Sequence, residues 1–516
     1  MLLQPSKPFR SAHFFVFAAS LFIFLNLVLY ISIYPLTGEE DRRCIVAQEM
    51  LLSGDYFHPT VFDVPYYKKP PMHNWLIVLP NLLDGVVDRV SARLVSIIAL
   101  LLTGWSLYLF LLKKHADKAL IGFLAVTTNY LMLCEYGNLA ETDIIITLFT
   151  SLSFIIYLSN PLQIRSVFIS SLFMGAGLLT KGLSPLYFYP AVLLVACFTQ
   201  QNRLRKLSLI GLHFLMSLLL PAVWLWLYSL EGSLSDLLRI FTAEVSEKST
   251  GSVGAFLWHL IYFPGKIFIV LLPWSLILAF AFKRRIVKDE IYWSSLLMFL
   301  ISLAIFTVSP ESRDRYLMPA FPAFAILCSY HIDAKIVIRK SLQRMVFSIL
   351  AILAAGCAVF GAIEGYFLQA AVFIVLALVI GLLLPRPLRL THFASVLAAF
   401  MLVTYMQGLF FYRAQIRFDH QPGAREIAAH ITEPLPVVAH HRVSNRTGLF
   451  LQAELQRPVF KTPRENFSEY YYLSYPAGVD SSAENLLTVP YPEDHNRDLI
   501  LQLKEINCLN NSKITP

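Results

Sequence analysis

The feature that most limits how this chain can fold is a succession of apolar runs with few charges, the first of which reads "FFVFAASLFIFLNLVLYISIYPL" from Phe14 to Leu36. Such runs, roughly 15–23 residues each, are long enough to cross a bilayer as helices. They fall near 12–34, 91–112, 119–133, 141–158, 166–180, 184–199, 207–229, 262–282, 291–308, 316–331, 345–363, 367–384 and 391–411. Only 15% of the 516 residues are charged, against about 25% in a soluble domain. Lipid must therefore solvate most of the chain. The net charge of +8 points to membrane orientation rather than to nucleic acid. Cys44, Cys134, Cys197, Cys328, Cys357 and Cys508 form no CxxC pair and no cluster with histidine, so neither a disulfide framework nor a zinc site is read. The first apolar run is too long for a cleaved signal.

The loops supply the orientation. With the end bearing Lys7 and Arg10 inside, the inner loops read "KKHADK", "NPLQIR", "QQNRLRK", "KRRIVKDE", "DAKIVIRK" and "PRPLR". Each carries Lys or Arg, as the positive-inside rule requires. The outer loops "EYGNLAE", "TKG", "EGSLSD…EVSEKSTG" and "SPESRDR" are acidic or mixed. The expected fold is an all-α polytopic membrane protein of about thirteen helices. Residues 1–411 form its membrane domain, with a first outer loop at 35–90. Residues 412–516 form a soluble outer-face domain of small α/β type, with a helix at "PGAREIAAHI" and strands at "LPVVAHH" and "RPVF".

Charge on the outer side marks the candidate chemistry. The first loop opens with "GEEDRRCIVAQEM", which reads as a helix with Cys44, Ala47 and Leu51 on one apolar face. It places Glu39, Glu40, Asp41 and Arg42 at a helix exit. Further along, "YYKKPPMHNWL" carries Lys68 and Lys69 before two prolines that enforce extended or turning backbone. Asp143 in "AETD", Lys181 in "TKG", Lys248 in "SEKS", and Arg313 and Arg315 in "SPESRDRY" lie on the same side. Cations there run against the orientation bias, and an anionic headgroup such as a phosphate explains them. Cations suit a departing phosphate, and a carboxylate suits activation of an attacking hydroxyl. One base with one direct displacement inverts the anomeric centre; retention ordinarily asks for a second, nucleophilic carboxylate. The plainer readings are first-turn carboxylates that favour a helix dipole, a helix cap at Asp143, a snorkelling Lys68, and structural roles for His73 and His259.

At these residues the sequence resembles the GT-C class of membrane glycosyltransferases. It is most similar to the branch holding the lipid A aminoarabinose transferases and the bacterial relatives of protein O-mannosyltransferases. That branch opens its first loop with "DE.RYAEIAREML.SGDW..P" and then "Y..KPPL..WL"; here the residues are "EEDRRCIVAQEMLLSGDYFHP" and "YYKKPPMHNWL". "AETD", "GLLTKG", "LLPW" and "RYLMPAFPAFAIL" follow in the family's order. The resemblance covers about residues 20–330 and implies an inverting transferase. Such an enzyme moves a sugar from a polyprenyl-phosphate donor to a lipid A, protein or glycan acceptor at the outer face of a bacterial inner membrane. It implies Glu39 as the base where the family has Asp, a change that moves a carboxylate on the order of 1 Å, with Asp41 as its alternate. Asp143 would orient acceptor, base or metal. Lys69, Lys181, Lys248 and Arg315 would hold the donor phosphate, and Glu40 and Arg42 would complete the first-loop motif. Lys68 stands where aminoarabinose transferases carry a Glu that helps bind a metal in a relative, so the metal is left open. The rival classes are a transporter or lipid-linked-sugar flippase, expected to show repeats and midplane charges, and a non-catalytic scaffold.

Overall fold

In the computed structural model the described residues are 7–31, 35–66, 68–198, 202–237, 253–281, 287–333, 337–363, 367–383, 387–415, 421–440, 443–461, 469–474, 485–490 and 498–505, with single positions 385, 463 and 467. The chain divides into two compact units. One comprises residues 1–30, 96–223 and 242–409, and the other 31–95, 224–241 and 410–516. The protein is a multi-pass membrane protein: among the described residues, seven helices are long and apolar enough to cross a bilayer.

The first unit is helical. Thr142–Ser159 packs along Ile164–Lys181, Ala119–Thr127 along Phe321–His331, and Glu290–Val308 along both Phe321–His331 and Phe188–Phe198. The run read as one span at 119–133 is instead the α-helix Ala119–Thr127 followed by a π-helical turn, Leu131–Tyr136. Asn129 lies between them and its side chain bonds both ways, to the carbonyl of Val126 (2.9 Å) and from the N–H of Met132 (3.0 Å). An amide side chain that satisfies the backbone in this way permits the break. Small residues let helices approach. A Cβ on Gly175 would sit 2.8 Å from the carbonyl oxygen of Ser217, the close contact expected where membrane helices pack through small residues. The buried polar groups nearby are paired: His213 bonds Ser170 Oγ at 2.7 Å and the Tyr189 hydroxyl at 2.9 Å. Meanwhile Phe17, Ile352 and Leu378 are more than half exposed, as lipid-facing side chains are.

The second unit mixes helices and strands. Its first element is the helix Glu40–Ser53, ended by Gly54 at φ 72°. A short hairpin follows, β1 (Thr60–Val61) paired antiparallel with β2 (Val64–Pro65). Its turn residues Phe62 and Asp63 both have positive φ, 55° and 64°. That conformation costs a bulky residue energy, and the Glu49 carboxylate offsets it by accepting the N–H of Phe62 at 2.7 Å, the N–H of Asp63 at 3.3 Å and the Thr60 hydroxyl at 2.5 Å. The tail contributes the helix Gln421–His430, β3 (Val437–Ala439), the helix Asn445–Leu455, β4 (Val459–Phe460), β5 (Glu469–Ser474), β6 (Asn485–Pro490) and β7 (Asp498–Glu505). The strand order is β4-β3-β5-β7-β6. β3 runs parallel to β4 and β5, whereas β7 runs antiparallel to β5 and β6. The parallel pair β3 and β4 needs a crossover, and the helix Asn445–Leu455 provides it. The helix read at "PGAREIAAHI" and the strands read at "LPVVAHH" and "RPVF" are all present.

Candidate functional site

Two clusters hold the charged residues singled out in the sequence, one in each unit. In the loop-and-tail unit, the three consecutive carboxylates have three different environments. Glu39 occupies the N-cap position without capping. It is instead bound by Arg42, Nη1 to Oε2 at 2.8 Å, with both side chains more than a third exposed. Glu40 is fully buried, and Arg93 grips it with two bonds, Nε to Oε1 at 2.8 Å and Nη2 to Oε2 at 2.7 Å. The same oxygen accepts the N–H of Thr37 at 2.7 Å. Arg93 spends its other donors on the carbonyls of Ile31 (2.8 Å) and Pro35 (2.9 Å). A pair so completely satisfied anchors the loop. Asp41 is partly buried, and its Oδ1 accepts the N–H of Arg42 at 2.7 Å. Burial pushes its carboxyl upward; the Arg42 N–H and the guanidinium groups of Arg446 and Arg42 oppose that rise.

Lys68 is exposed and Lys69 half-buried in the turn before Pro70. Beyond them His73 is buried, and burial together with the Arg43 charge holds its imidazole down at about 3. The imidazole of His73 is therefore held in its neutral form. Arg43 itself donates to the Tyr66 hydroxyl at 2.8 Å, and its carbonyl accepts from Asn74 Nδ2 at 2.9 Å.

In the helical unit, three motif segments come together. Asp143 stands in the first turn of Thr142–Ser159, Lys181 is the last residue of Ile164–Lys181, and Arg315 lies in the 3-10 turn Asp314–Ala320. Lys181 Nζ bonds Asp143 Oδ1 directly. Arg315 divides itself between two carboxylates, with Nε 3.8 Å from Asp143 Oδ2 and Nη1 3.5 Å from Glu141 Oε1. Tyr316 lies under the Lys181 ammonium at 4.5 Å, and Tyr136 is 5.9 Å from the Arg315 guanidinium. Alongside, Lys266 pairs with Asp314 at 3.0 Å. The Asp143 side chain is 2% exposed, whereas those of Lys181 and Arg315 keep 12% and 15%. The acid is thus sealed while the cations still reach the surface. Arg313 is exposed, and His259 is buried with Nδ1 2.9 Å from the Thr307 carbonyl. Lys248 lies outside the described residues.

The residues fit a metal poorly. Among the described residues the ligand-like trio is Asp55, His58 and Glu231. Both ring nitrogens of His58 are already engaged, Nδ1 by Asp55 at 2.8 Å and Nε2 by the Tyr228 carbonyl at 3.0 Å. Sequence reasoning passed over Arg93, Glu141, Lys266, Tyr136 and Tyr316. A signal existed for two of them: Arg93, at the start of the apolar run "RLVSIIALLL", and Lys266 in "HLIYFPGKIFIV" are cations in apolar runs, which demand a partner.

A family model described as dolichyl-phosphate-mannose-protein mannosyltransferase matches residues 68–226. The crystal structure of ArnT from Cupriavidus metallidurans bound to undecaprenyl phosphate superposes with a TM-score of 0.71 at 18% identity, covering 94% of this chain and 98% of that one. Its apo form gives the same score at 19% identity, with 95% and 98% covered. The chain therefore has the GT-C membrane fold of ArnT. In sequence it is related to the undecaprenyl phosphate-alpha-4-amino-4-deoxy-L-arabinose arabinosyl transferases. Transferase 1 of Proteus mirabilis is 25% identical over 337 residues, 60% of this chain and 58% of that protein. The Aeromonas salmonicida protein matches over the same shares at 25% identity. The chain thus spans less than two thirds of the length of these relatives.

Proposed function

We propose that this protein is an inverting glycosyltransferase of the bacterial inner membrane. It takes a sugar, in the first instance 4-amino-4-deoxy-L-arabinose, from undecaprenyl phosphate at the periplasmic face and transfers it to a lipid A-type acceptor. About thirteen crossings and a soluble tail at 412–516 belong to this reading, and membrane lipids surround the rest. The observation that carries it is the cluster of Asp143, Lys181 and Arg315, brought together from three separate segments of the chain.

The chemistry follows from the charges. The bond from the anomeric carbon to the phosphate oxygen breaks, and undecaprenyl phosphate leaves with the electron pair. Lys181 and Arg315, held near Asp143 and Glu141 until then, meet that growing negative charge. Fixed cations at a leaving oxyanion are worth about 10²–10³ in rate. Lys69 and Lys248 add to the phosphate set from their own loops. A new bond forms from the acceptor oxygen to the anomeric carbon on the opposite face, and the acceptor proton passes to a first-loop carboxylate. Glu39 takes that role, with Asp41 as the alternate. Glu40, with Arg93 on both oxygens, is unsuited to it. A phosphate acceptor is already ionised and asks less of the base.

Transfer from radiolabelled undecaprenyl phosphate-aminoarabinose to lipid A by the purified protein in nanodiscs is the test. Asp143→Asn should stay folded and lose transfer. Full activity in Asp143→Asn, or transport of the donor without transfer, would favour the flippase instead.

A further inference from the structure

The first-loop helix Glu40–Ser53 is met by a segment some four hundred residues further along the chain. Gln452, on the tail helix Asn445–Leu455, donates to Glu49 Oε1 at 2.7 Å. On the same tail helix, Gly448 faces Phe62 so closely that a Cβ there would fall 2.3 Å from the ring. Phe450 lies 5.8 Å from the Arg89 guanidinium. The tail helix begins at Ser444, whose Oγ accepts the N–H of Arg446 at 3.3 Å. Arg446 is thereby fixed in the first helical turn. Going back from Gln452 to Arg446 covers six residues, roughly 9 Å of helix; going back from Glu49 to Asp41 covers eight, roughly 12 Å. Arg446 is within reach of Asp41 for their charges to interact, so from the Glu49–Gln452 contact the two helices run back toward the same end. The long arginine side chain spans the few ångströms of mismatch.

We propose that Arg446 is a positioning residue for Asp41, so that the tail completes the first-loop carboxylate cluster. This rests on reading Asp41 as a working carboxylate of a glycosyltransferase. The charged groups facing Asp41 are Glu39 and Arg42 on its own segment and Arg446 on the tail helix. Arg42 is already bound to Glu39 at 2.8 Å, which offsets much of its charge. Arg446 is the cation supplied by the opposing element. Burial favours the protonated acid, which neither takes up a proton nor orients an acceptor hydroxyl by accepting its bond. A guanidinium alongside favours the carboxylate and fixes the direction in which it points.

The test is an infrared titration of the full-length protein in nanodiscs, with ¹³C-labelled aspartate and the Asp41→Asn spectrum subtracted to isolate Asp41. Arg446→Met should move the Asp41 midpoint upward by about one pH unit, and Arg446→Lys should restore most of the original value. If Arg446→Met does not fold, Arg446→Gln makes the same comparison. An unchanged midpoint in the folded neutral variant overturns the proposal. Transfer by Asp41→Asn is scored separately. A wild-type rate there would remove Asp41 from the reaction while leaving the measured Arg446–Asp41 coupling standing.

Discussion

Glu40 and Asp143 are both buried carboxylates next to an arginine, yet their surroundings differ in kind. Glu40 has a bidentate arginine at 2.7 and 2.8 Å and a backbone N–H at 2.7 Å, and its partner Arg93 is itself fully buried. Asp143 shares two cations that remain partly accessible, one of them 3.8 Å away and divided with Glu141. A saturated pair gains nothing by letting go, because a buried charge without its partner is costly. A cation shared at 3.5 and 3.8 Å, as Arg315 is, can turn to an incoming phosphate at small cost. We propose that partner saturation, more than burial, separates an anchor from a binding group here.

That contrast can be broken by substitution. The largest effect is expected at the anchor: Glu40→Gln or Arg93→Met should lower stability by about 3–5 kcal/mol, read as a drop in Tm in detergent. Glu40→Leu with Arg93→Met should recover much of that loss, since an apolar pair leaves no stranded charge. Next come Lys181→Met and Arg315→Met, each expected to reduce kcat/KM about 10²–10³-fold with a smaller drop in Tm than at the anchor, because the other cation still faces Asp143. If either lowered Tm as far as Glu40→Gln does, the distinction would collapse. Glu39→Gln should cost about 10²-fold in kcat when the acceptor is a hydroxyl, and less when it is a phosphate. Gly448→Ala sharpens the contact of tail and loop. Its Cβ would force Phe62 aside, at a cost of about 1–3 kcal/mol, again read in Tm.

The smallest effect is a pH dependence. Lys461 lies 4.4 Å from the Phe62 ring and donates to the Val443 carbonyl at 2.8 Å. Burial depresses its ammonium to about 8 from 10.5. The unfolded chain therefore binds more protons than the folded one between pH 8 and 10.5, so stability contributed at this site rises with pH across that window. Lys461→Met should flatten the rise; an unchanged slope would show that Lys461 titrates normally.

Much of this was legible in the sequence, for physical reasons. Apolar runs and loop charges report membrane crossings directly, and the helix at 40–53 follows from its apolar spacing. Lys181 and Arg315 could be named because each breaks the charge bias of its loop, and Asp143 because it is an acid on the same side. Their mutual pairing could not, since it depends on how helices distant in sequence pack. For the same reason Glu40 looked like its neighbours Glu39 and Asp41. Nothing local reveals that Arg93, more than fifty residues away, closes on it. The break at Asn129 was hidden because an apolar run reads alike whether its turns are α or π. Gln452 and Arg446 sit in a polar tail with no pattern that announces the first loop as their target.

The most direct measurement is the turnover of undecaprenyl phosphate-aminoarabinose by the purified wild-type protein and the Lys181→Met/Arg315→Met double variant, with lipid A as acceptor and the product's anomeric configuration read by NMR. The account predicts transfer with inversion by the wild type and a loss of at least about 10²-fold in a double variant that remains folded. Equal rates in the two proteins, or a product of retained configuration, would contradict it.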